Sequence, residues 1–466
     1  MKYRGNIKFD AGRLRGWILG PDDSTVTLRA VDRDSGMLVW EGPANDPRPN
    51  SRFSNTFCGF DFACGGPAAS NQGVIEIQDA ETNQPVPFSP FQFDETHAKH
   101  AQKLNELMQL PFVHLSGVVD KNGAITAKIV FIPKPETDLT CETGLFVRTK
   151  KGLHSVGPEK LLALGRQKSV SASRFWFSKV WPNVNFTLNL NDWFEDALID
   201  ESGTRFVQLT VENDSSTESV STYRDAGLVD IAKICFPPID GFRRTQVSGD
   251  LDQKFTASAF SQYRTYRKVY ETYSGKSWFE IQKMLDWGCG CGRVTQPVVH
   301  SLGKERVFGT DIDATNIDWC RENLYAPNYA PCDINPPLPY QNNTFDYIIA
   351  TSVLTHIPGP LVPIWLTELE RVMKPGAIAA LSVGGNPRVA FGSYSMDRLS
   401  ELQQNGIEDS IQNAQLDSVI SDKDYYRNVR MTPDYIHSVW GEHFEILAIC
   451  PHAIGVQDIV ICQKKS

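Results

Sequence analysis

The chain has 466 residues, more than one hydrophobic core normally organises, so two or three domains are expected. Hydrophobic residues make up 41% of the sequence and charged residues 22%, which is typical of globular proteins and excludes a disordered or membrane-embedded chain. The net charge of -9 argues against a protein that binds nucleic acid by neutralising phosphates.

The N-terminal sequence MKYRGNIKFDAGRLRGW carries charges too closely spaced for a signal peptide, and no run approaches the ~18 apolar residues that cross a bilayer. We therefore expect a cytoplasmic protein without membrane insertion. The ten cysteines are scattered, and no two C-x-x-C units stand at the spacing of a zinc site. This pattern predicts reduced thiols and no bound metal.

The first predicted domain covers residues 1–95 and is all-β. Five short runs rich in β-branched and aromatic residues are separated by turn-forming residues at intervals of roughly ten positions. These runs are LRGWILG, STVTLRAV, MLVWEG, FCGFDFA and VIEIQD. Such spacing is typical of an antiparallel β-sandwich or a small barrel. The segment DETHAKHAQKLNELMQL, which follows, has a helical pattern.

A second β-rich module is predicted over residues 110–225. The segment GVVDKNGAITAKIVFIP contains an Asn-Gly pair that favours a hairpin, while FTLNLNDWF and RFVQLTVEN alternate polar and apolar residues as strands do. The polar, serine-rich segment ENDSSTESVSTYRD is typical of a linker. We place a domain boundary near it and a third domain over residues 240–466.

From Lys283 the sequence alternates between strand and helix patterns. The predicted strands KMLDWG, ERVFGTDI, FDYIIATSV and AIAALSVGG alternate with the predicted helices RVTQPVVHSL, ATNIDWCREN and LVPIWLTELERVM. This alternation predicts an α/β, Rossmann-like domain with a parallel sheet covered on both faces. Two final strands, HFEILAIC and QDIVICQK, would make the sheet mixed but mostly parallel.

The glycine-rich turn after the first of these strands is the first candidate for a binding site. Gly288, Gly290 and Gly292 alternate with Cys289 and Cys291, directly after Asp286. Glycines let the backbone turn sharply and approach a ligand at the carboxyl end of a strand, where open α/β sheets bind their ligands. We interpret the two cysteines as small turn residues and not as metal ligands.

Acidic and hydroxyl side chains follow the neighbouring strands. Asp311 lies 19 positions after Gly292, at the next strand tip, where its carboxylate could accept hydrogen bonds from a ribose diol. Asp333 follows the third strand, in reach of the exocyclic amine of adenine. Thr351, Ser352 and His356 follow the fourth strand. The sequence therefore predicts a nucleoside site at one edge of the sheet.

The segments KMLDWGCGCGRV, VFGTDID, CDINPPLPYQNNTFDYIIATSVLTHIP and ELERVMKPGAI, in this order, resemble the successive motifs of class I S-adenosylmethionine-dependent methyltransferases. The resemblance covers roughly the last 200 residues and implies S-adenosylmethionine as the cofactor. It implies that Gly288 and Gly290 contact the methionine and ribose, with Cys289 between them. It further implies roles for the residues at the strand tips: Asp286 for the ammonium, Asp311 for the ribose, Asp333 for the adenine amine, Ile312 and Ile334 around the adenine ring, and Thr351 and Ser352 near the methionine.

Several alternatives stay open at this stage. A nicotinamide-dependent dehydrogenase would expect G-x-G-x-x-G, but Arg293 breaks that pattern. Asp286 could cap the following helix, Asp313 is predicted to be a helix N-cap, and Trp287 to pack on a neighbouring helix. The tyrosines Tyr263, Tyr266 and Tyr270 are predicted to be core residues.

The acceptor of the methyl group cannot be read from the motifs. His356 is the candidate general base if the acceptor is a hydroxyl, since histidine commonly serves that role near neutral pH. The long polar segment between Met396 and Trp440 is either a solvated helical cap or a lid, and Arg427 and Arg430 could receive an anionic acceptor.

The N-terminal module resembles β-sandwich modules found beside sugar-modifying enzymes. The resemblance rests on LRGWILGPDDSTVTLRAVDRDSG followed by CGFDFA. It favours a small-molecule or glycan acceptor, such as a polysaccharide precursor, with no nucleic-acid partner. The alternatives are a carbohydrate- or protein-binding scaffold that carries a weakly active transferase domain, and a methyltransferase for proteins or other small molecules. The oligomeric state is not predicted.

Overall fold

A computed structural model of the chain describes residues 3–10, 13–33, 36, 38–47, 57–63, 73–87, 89–93, 112–119, 125–132, 145–156, 184–201, 203–211, 223–228, 252–324, 328–386, 396–417 and 419–465. The chain divides into two compact units. The first unit comprises Met1–Gln109, Lys168–Asn183 and Val389–Ser400, and the second comprises Leu110–Gln167, Val184–Arg388 and Glu401–Ser466.

The N-terminal region consists of two antiparallel four-stranded sheets, ordered β1-β2-β6-β5 and β4-β3-β7-β8. The strands are β1 (Arg4–Asp10), β2 (Arg13–Leu19), β3 (Thr27–Asp32), β4 (Leu38–Pro43), β5 (Asp46–Pro47), β6 (Phe57–Ala63), β7 (Gly73–Asp79) and β8 (Phe91–Phe93). All five strands predicted here are present, whereas β1, β5 and β8 were not predicted. Leu14 and Phe60 from one sheet and Leu28 and Ile77 from the other belong to one hydrophobic cluster. The sandwich arrangement remains a prediction, and the helical pattern over residues 94–110 lies outside the described residues.

Two smaller antiparallel sheets follow in the second unit, ordered β13-β10-β9 and β12-β11-β15-β14, with β16 also paired to β15. Their strands are β9 (Phe112–Val119), β10 (Ile125–Ile132), β11 (Leu145–Thr149), β12 (Gly152–Val156), β13 (Val184–Asn189), β14 (Leu198–Ile199), β15 (Arg205–Val211) and β16 (Tyr223–Leu228). The hairpin pairing predicted around Asn122 is present between β9 and β10.

The segment predicted as a linker ends in a strand. Its last residues belong to β16, which pairs with β15 along its length. Asp225 of this strand forms an ion pair of 2.7 Å with Arg264. The side chain of Asp225 is almost fully buried, so this strand is packed against the following helix. The division into three domains remains a prediction.

The elements from residue 252 onwards include all the strands and helices that were predicted from Lys283. They are α1 (Asp252–Ser274), β17 (Met284–Trp287), α2 (Thr295–Leu302), β18 (Val307–Asp311), α3 (Ala314–Asn323), β19 (Tyr329–Pro331), β20 (Phe345–Ala350), α4 (Val362–Val372), β21 (Met373–Val383), α5 (Met396–Asn405), β22 (Ile407–Gln412), β23 (Arg427–Met431), α6 (Pro433–Val439), β24 (Phe444–Ile454) and β25 (Gln457–Lys464). Among the described helices, none combines the length and apolar character needed to cross a membrane.

One seven-stranded sheet organises this region, in the order β19-β18-β17-β20-β21-β25-β24. All its pairings are parallel except those of β25, which runs antiparallel to both of its neighbours. The predicted mixed, mostly parallel sheet is therefore confirmed. The chain order of the strands reverses on the two sides of β17, so the crevice beside β17 is the position where such sheets bind ligands.

Hydrophobic clusters cover both faces of this sheet. Leu285 and Trp287 pack with Trp365 and Leu369 of α4 on one face. On the other face, Tyr266 and Tyr270 of α1 belong to a second cluster with Met284 and Tyr347. The prediction that the tyrosines of α1 are core residues is confirmed. Because both faces are covered, the edge formed by the strand tips is where the sheet can present polar groups to a ligand.

Candidate active site

A cavity of about 450 Å³ lies at the carboxyl ends of β17, β18 and β20. Nearly all the site residues predicted from the sequence line it: Asp286, Gly288, Cys289, Gly290, Asp311, Ile312, Thr351, Ser352 and His356. The parallel strands bring these side chains together although they are spread over about seventy positions of the chain.

The glycine turn is tied to the neighbouring strand. The backbone N–H groups of Gly288 and Cys289 both donate to the carbonyl of Thr310, at 2.8 and 3.0 Å. Gly288 has a φ of +73°, and a Cβ there would lie 2.2 Å from the side chain of Val353. Gly290 has a φ of +53°, but a Cβ there would meet nothing within 4 Å. At Gly288, both the positive φ and the contact with Val353 therefore disfavour any larger residue. At Gly290, only the positive φ does so.

Asp311 holds the turn from the tip of β18. Its Oδ2 accepts the backbone N–H of Gly290 at 2.8 Å, and its Oδ1 accepts that of Asp313 at 2.8 Å. Burial raises the pKa of Asp311 to about 6, against the lowering effect of these hydrogen bonds. Asp313 caps α3 through the backbone N–H of Thr315, which confirms the predicted N-cap.

Asp286 lines the cavity and is 2% exposed. Its Oδ2 accepts a hydrogen bond of 2.6 Å from the hydroxyl of Thr295, the first residue of α2. Burial raises the pKa of Asp286 to about 6. The side chain therefore supports the start of α2 and also faces the cavity. The neighbouring Trp287 contacts Trp365 of α4 with ring centroids 4.9 Å apart, which confirms its predicted packing role.

Arg293 lines the cavity but was not predicted as a site residue. Its Nη1 donates to the hydroxyl of Ser258 on α1 at 3.0 Å. Burial lowers the pKa of this guanidinium. Within the described residues, its Nε is buried without a hydrogen-bond partner. Its position directly after the glycine turn could have indicated a site residue, but from the sequence this arginine only argued against a dehydrogenase.

The loop after β20 forms the opposite wall. Ser352 has a φ of +61°, and its N–H donates to the hydroxyl of Ser382 at 2.7 Å. Its own hydroxyl accepts a hydrogen bond of 2.7 Å from Gln457, at the start of β25. The hydroxyl of Thr351 lies 2.9 Å from that of Tyr266. Gln457 was not predicted, since it stands about a hundred positions away in a segment without a motif.

His356 also lines this wall. Its Nδ1 lies 2.7 Å from the backbone carbonyl oxygen of Arg427. Its ring is stacked on that of Tyr426, with centroids 4.2 Å apart and planes inclined by 19°. The imidazole is therefore held in one orientation beside the cavity.

Asp333 and Ile334 are not among the residues that line the cavity. Asp333 is exposed, two residues beyond the end of β19, while the preceding Cys332 does line the cavity. The carboxylate thus stands at the same edge of the sheet as Gly290 and Asp311, outside the wall.

The segment between α5 and α6 is more than a helical cap. It contains the antiparallel pair β22 and β23, and the connection between them reaches the cavity. Its cavity residues are Asn413, Gln415, Leu416, Tyr425, Tyr426 and Asn428. Arg427 and Arg430, considered as receptors for an anionic acceptor, are not among the lining residues. Arg427 instead donates to the backbone carbonyls of Asp424 and Asp409.

The lining residues fit S-adenosylmethionine, which carries a carboxylate, an ammonium, a sulfonium and a nucleoside. The acidic groups Asp286 and Asp311 and the cationic Arg293 all line the cavity. Four buried polar atoms of lining residues, on Arg293, Asn316, Trp365 and Gln457, have no hydrogen-bond partner within the described residues. Buried polar atoms are normally paired, so a polar ligand is the expected complement.

Comparisons with known proteins support this interpretation. Residues 284–376 match a methyltransferase domain family. A probable methyltransferase of Aspergillus luteorubrus is 33% identical over 127 residues, covering 25% of this chain and 45% of that protein. The tRNA N(3)-cytidine methyltransferase of Gallus gallus is 23% identical over 142 residues, covering 28% and 36%. The chain spans less than half the length of these two curated relatives.

One solved structure matches about half of the chain. It is that of the Burkholderia thailandensis 1,6-didemethyltoxoflavin-N1-methyltransferase with bound 1,6-didemethyltoxoflavin and S-adenosylhomocysteine. It has 15% sequence identity and a TM-score of 0.32, and the match covers 52% of this chain and 96% of that one. The family match supports a methyltransferase domain over residues 284–376, and the residues lining the cavity at the strand tips fit S-adenosylmethionine as its cofactor.

Proposed function

We propose that the protein is an S-adenosylmethionine-dependent methyltransferase for an uncharged hydroxyl acceptor, with His356 as the general base. The observation that carries this proposal is the division of the cavity wall into two halves. The charged half comes from the ends of β17 and β18, and the uncharged half comes from the loop after β20 and the segment between β22 and β23.

The charged half would hold the cofactor. The Asp311 carboxylate would accept hydrogen bonds from the ribose hydroxyls, and Ile312 beside it would pack on the adenine ring. The Arg293 guanidinium would pair with the carboxylate of the methionine part, while Asp286 would face the ammonium. Asp333, at the rim, would reach the adenine amine and Ile334 the ring. When bound, S-adenosylmethionine supplies a methyl group that its sulfonium makes electrophilic.

The uncharged half would receive the acceptor. From Thr351 onwards, the lining residues are hydroxyl, amide, aromatic and aliphatic side chains together with His356. An anionic acceptor would lose its hydration here without gaining a charged partner, which is costly. Amide groups and aromatic rings together suit a compound with several hydroxyls, so a hydroxyl of a glycan or a polysaccharide precursor is our proposed acceptor. The sandwich-like N-terminal sheets would then serve as an accessory module.

His356 would remove the proton from the acceptor hydroxyl as the new oxygen–carbon bond forms. A hydrogen bond from Nδ1 to the Arg427 carbonyl leaves Nε2 as the basic nitrogen, which is the arrangement expected of a general base. The other lining residues would align the hydroxyl with the methyl group and exclude water, and such positioning accounts for much of the rate in a displacement of this kind.

The test uses the full chain. Calorimetry with S-adenosylmethionine should detect binding at one site, and labelled methyl should then appear in the glycan fraction when the protein is incubated with a fractionated lysate. Absence of cofactor binding would contradict the proposal and favour a scaffold role. Label in the nucleic-acid or protein fraction would show that the protein is a methyltransferase, but it would overturn the proposed acceptor.

A further inference from the structure

We propose that Arg427 and Tyr426 are positioning residues that hold His356 with its proton on Nδ1. This inference rests on the proposed function in assigning His356 as the base, but its geometry is independent of the cofactor. The two residues belong to the segment that joins β22 to β23 and to β23 itself, a part of the domain to which no motif assigns a role.

Reciprocal hydrogen bonds join β23 to the loop that carries His356. The backbone N–H of Arg427 donates to the carbonyl of His356 at 3.0 Å, and the N–H of Val429 donates to that of Thr355 at 2.8 Å. The carbonyl of Arg427 is therefore fixed beside the imidazole, 2.7 Å from Nδ1. A carbonyl oxygen can only accept, so a hydrogen bond here requires the proton on Nδ1, and in the neutral ring this leaves the lone pair on Nε2.

The side chain of Arg427 stabilises the position of its own backbone. Its Nε donates to the carbonyl of Asp424 at 2.8 Å, and its Nη1 donates to the carbonyl of Asp409 at 3.2 Å. The carboxylate of Asp409 in turn accepts the backbone N–H of Gly359 at 2.7 Å. The guanidinium thus links both strands of the pair β22–β23, and Asp409 ties that pair to the loop three residues beyond His356.

Tyr426 fixes the plane of the imidazole. Stacking on Tyr426 holds the ring in one plane, and within that plane the hydrogen bond to the Arg427 carbonyl favours the orientation that places Nδ1, and not a ring carbon, beside that oxygen. The backbone carbonyl of Tyr426 accepts the N–H of Asn413 at 2.8 Å, which anchors the tyrosine to the other side of the segment.

The consequence is chemical. A free neutral imidazole favours the tautomer with the proton on Nε2, and that tautomer presents a donor where the acceptor hydroxyl needs a base. The hydrogen bond to the Arg427 carbonyl reverses this preference. A segment that contacts the acceptor therefore also determines whether His356 is able to take the proton.

The experiment measures the tautomer directly, on the full chain and without any ligand. The protein is labelled with ¹⁵N-histidine, and the signal of His356 is identified among the nine histidines by its loss in His356→Gln. In the neutral ring, we expect the proton on Nδ1. In Arg427→Ala, loss of the anchoring should shift the tautomer ratio towards Nε2–H by about fivefold, the equivalent of one ordinary hydrogen bond.

Arg430→Ala is the matched control, since it removes an arginine from the same strand whose Nη1 donates to the adjacent Val429 carbonyl. The control should leave the tautomer ratio unchanged, and Tyr426→Phe should do the same because the ring is retained. A wild-type signal with the proton on Nε2, or an Arg427→Ala ratio equal to that of wild type, would overturn the inference. The tautomer measurement does not depend on cofactor binding. Calorimetry with S-adenosylmethionine therefore tests the proposed function separately from this inference.

Discussion

The two halves of the cavity wall differ in origin as well as in charge. The charged half is encoded by one continuous stretch, from Asp286 to Asn316, in which glycines and acids follow successive strands. The uncharged half is assembled from five separate places: Cys332 after β19, the loop after β20, Trp365 of α4, the segment between Asn413 and Asn428, and Gln457. Recognition of the common cofactor thus lies in a compact motif, whereas recognition of the acceptor is spread over segments that only the fold brings together.

If this comparison is correct, substitutions in one half should affect cofactor binding and those in the other should affect methyl transfer. His356→Ala is expected to show the largest effect, a loss of methyl transfer of about 100- to 10,000-fold, because general-base catalysis contributes on that order. Transfer of labelled methyl to the acceptor fraction measures it. Cofactor affinity by calorimetry should remain within about twofold of wild type, and a parallel loss of affinity would place His356 in the cofactor half.

Gly288→Ala tests where the two halves meet, because a Cβ on Gly288 would overlap the side chain of Val353 from the opposite wall. Strain at positive φ and overpacking together should lower the free energy of unfolding by roughly 2–4 kcal/mol. Urea unfolding measures the loss. Gly290→Ala is the matched control, with positive φ but open space around its Cβ, and should cost only about 1 kcal/mol. Equal losses would mean that the overlap is relieved by a rotation of Val353.

Asp311→Ala should weaken S-adenosylmethionine binding by roughly 2–3 kcal/mol, since a charged pair of hydrogen bonds to the ribose is lost and the N–H of Gly290 loses its acceptor. Calorimetry provides the measurement. Asp318→Ala on α3, a carboxylate that pairs on the surface with Arg321, removes the same charge away from the cavity and should leave the affinity unchanged. Unchanged affinity in Asp311→Ala would remove this residue from the site.

The pH dependence of cofactor binding should follow the two carboxyl groups of the charged half. Burial raises the pKa of Asp286 and of Asp311 to about 6, so both are protonated as the pH falls below that value. A ligand that needs either carboxylate ionised should bind about tenfold more weakly at pH 5 than at pH 7. Calorimetry across this range tests the slope, and a flat profile would show that neither group faces the cofactor.

The stability of the ligand-free protein should change in the opposite direction. A carboxyl whose pKa is higher in the folded state than in the unfolded chain contributes stability below about pH 4, and this contribution is lost as the pH rises through 6. The difference in unfolding free energy between the wild type and Asp286→Asn should therefore shift in favour of the variant over this interval.

Asn413→Ala is expected to have the smallest effect on cofactor binding, a change of less than about twofold, because this amide belongs to the uncharged half. Its Nδ2 donates to Oδ1 of Asn428 across the pair β22–β23 at 3.2 Å. The loss should appear instead as an increase in the KM for the acceptor. A clear loss of cofactor affinity would show that the two halves do not act separately.

The fold and the charged half were accessible from the sequence for a physical reason. Buried parallel strands appear in the sequence as short apolar runs. Glycines and acidic residues follow these runs directly, because polar groups meet a ligand at the carboxyl ends of the strands. The alternation of strands and helices from β17 to β21, the two final strands β24 and β25, the N-cap role of Asp313 and the core position of Tyr266 were all predicted.

The remainder depends on long-range contacts that leave no local pattern. Gln457 reaches Ser352 only because β25 lies between β21 and β24. The segment that contains the pair β22–β23 was interpreted as either a solvated helical cap or a lid, because its polar residues do not alternate as those of a strand do. Arg293 was noticed as an exception to another family's motif, yet its burial against Ser258 depends on the position of α1. The first strand of the chain, β1, was missed because Gly5, Asn6 and Lys8 weaken its strand pattern.

The antiparallel position of β25 has a consequence for biosynthesis. This strand is synthesised after every other strand of the seven-stranded sheet, yet it separates β21 from β24, and its first residue, Gln457, contacts the loop that lines the cavity. The ribosome must therefore have translated residues 457–464 before the sheet can close, and a nascent chain shorter than this would expose two unpaired strand edges. Capture of the cofactor during translation would have to wait for this last insertion.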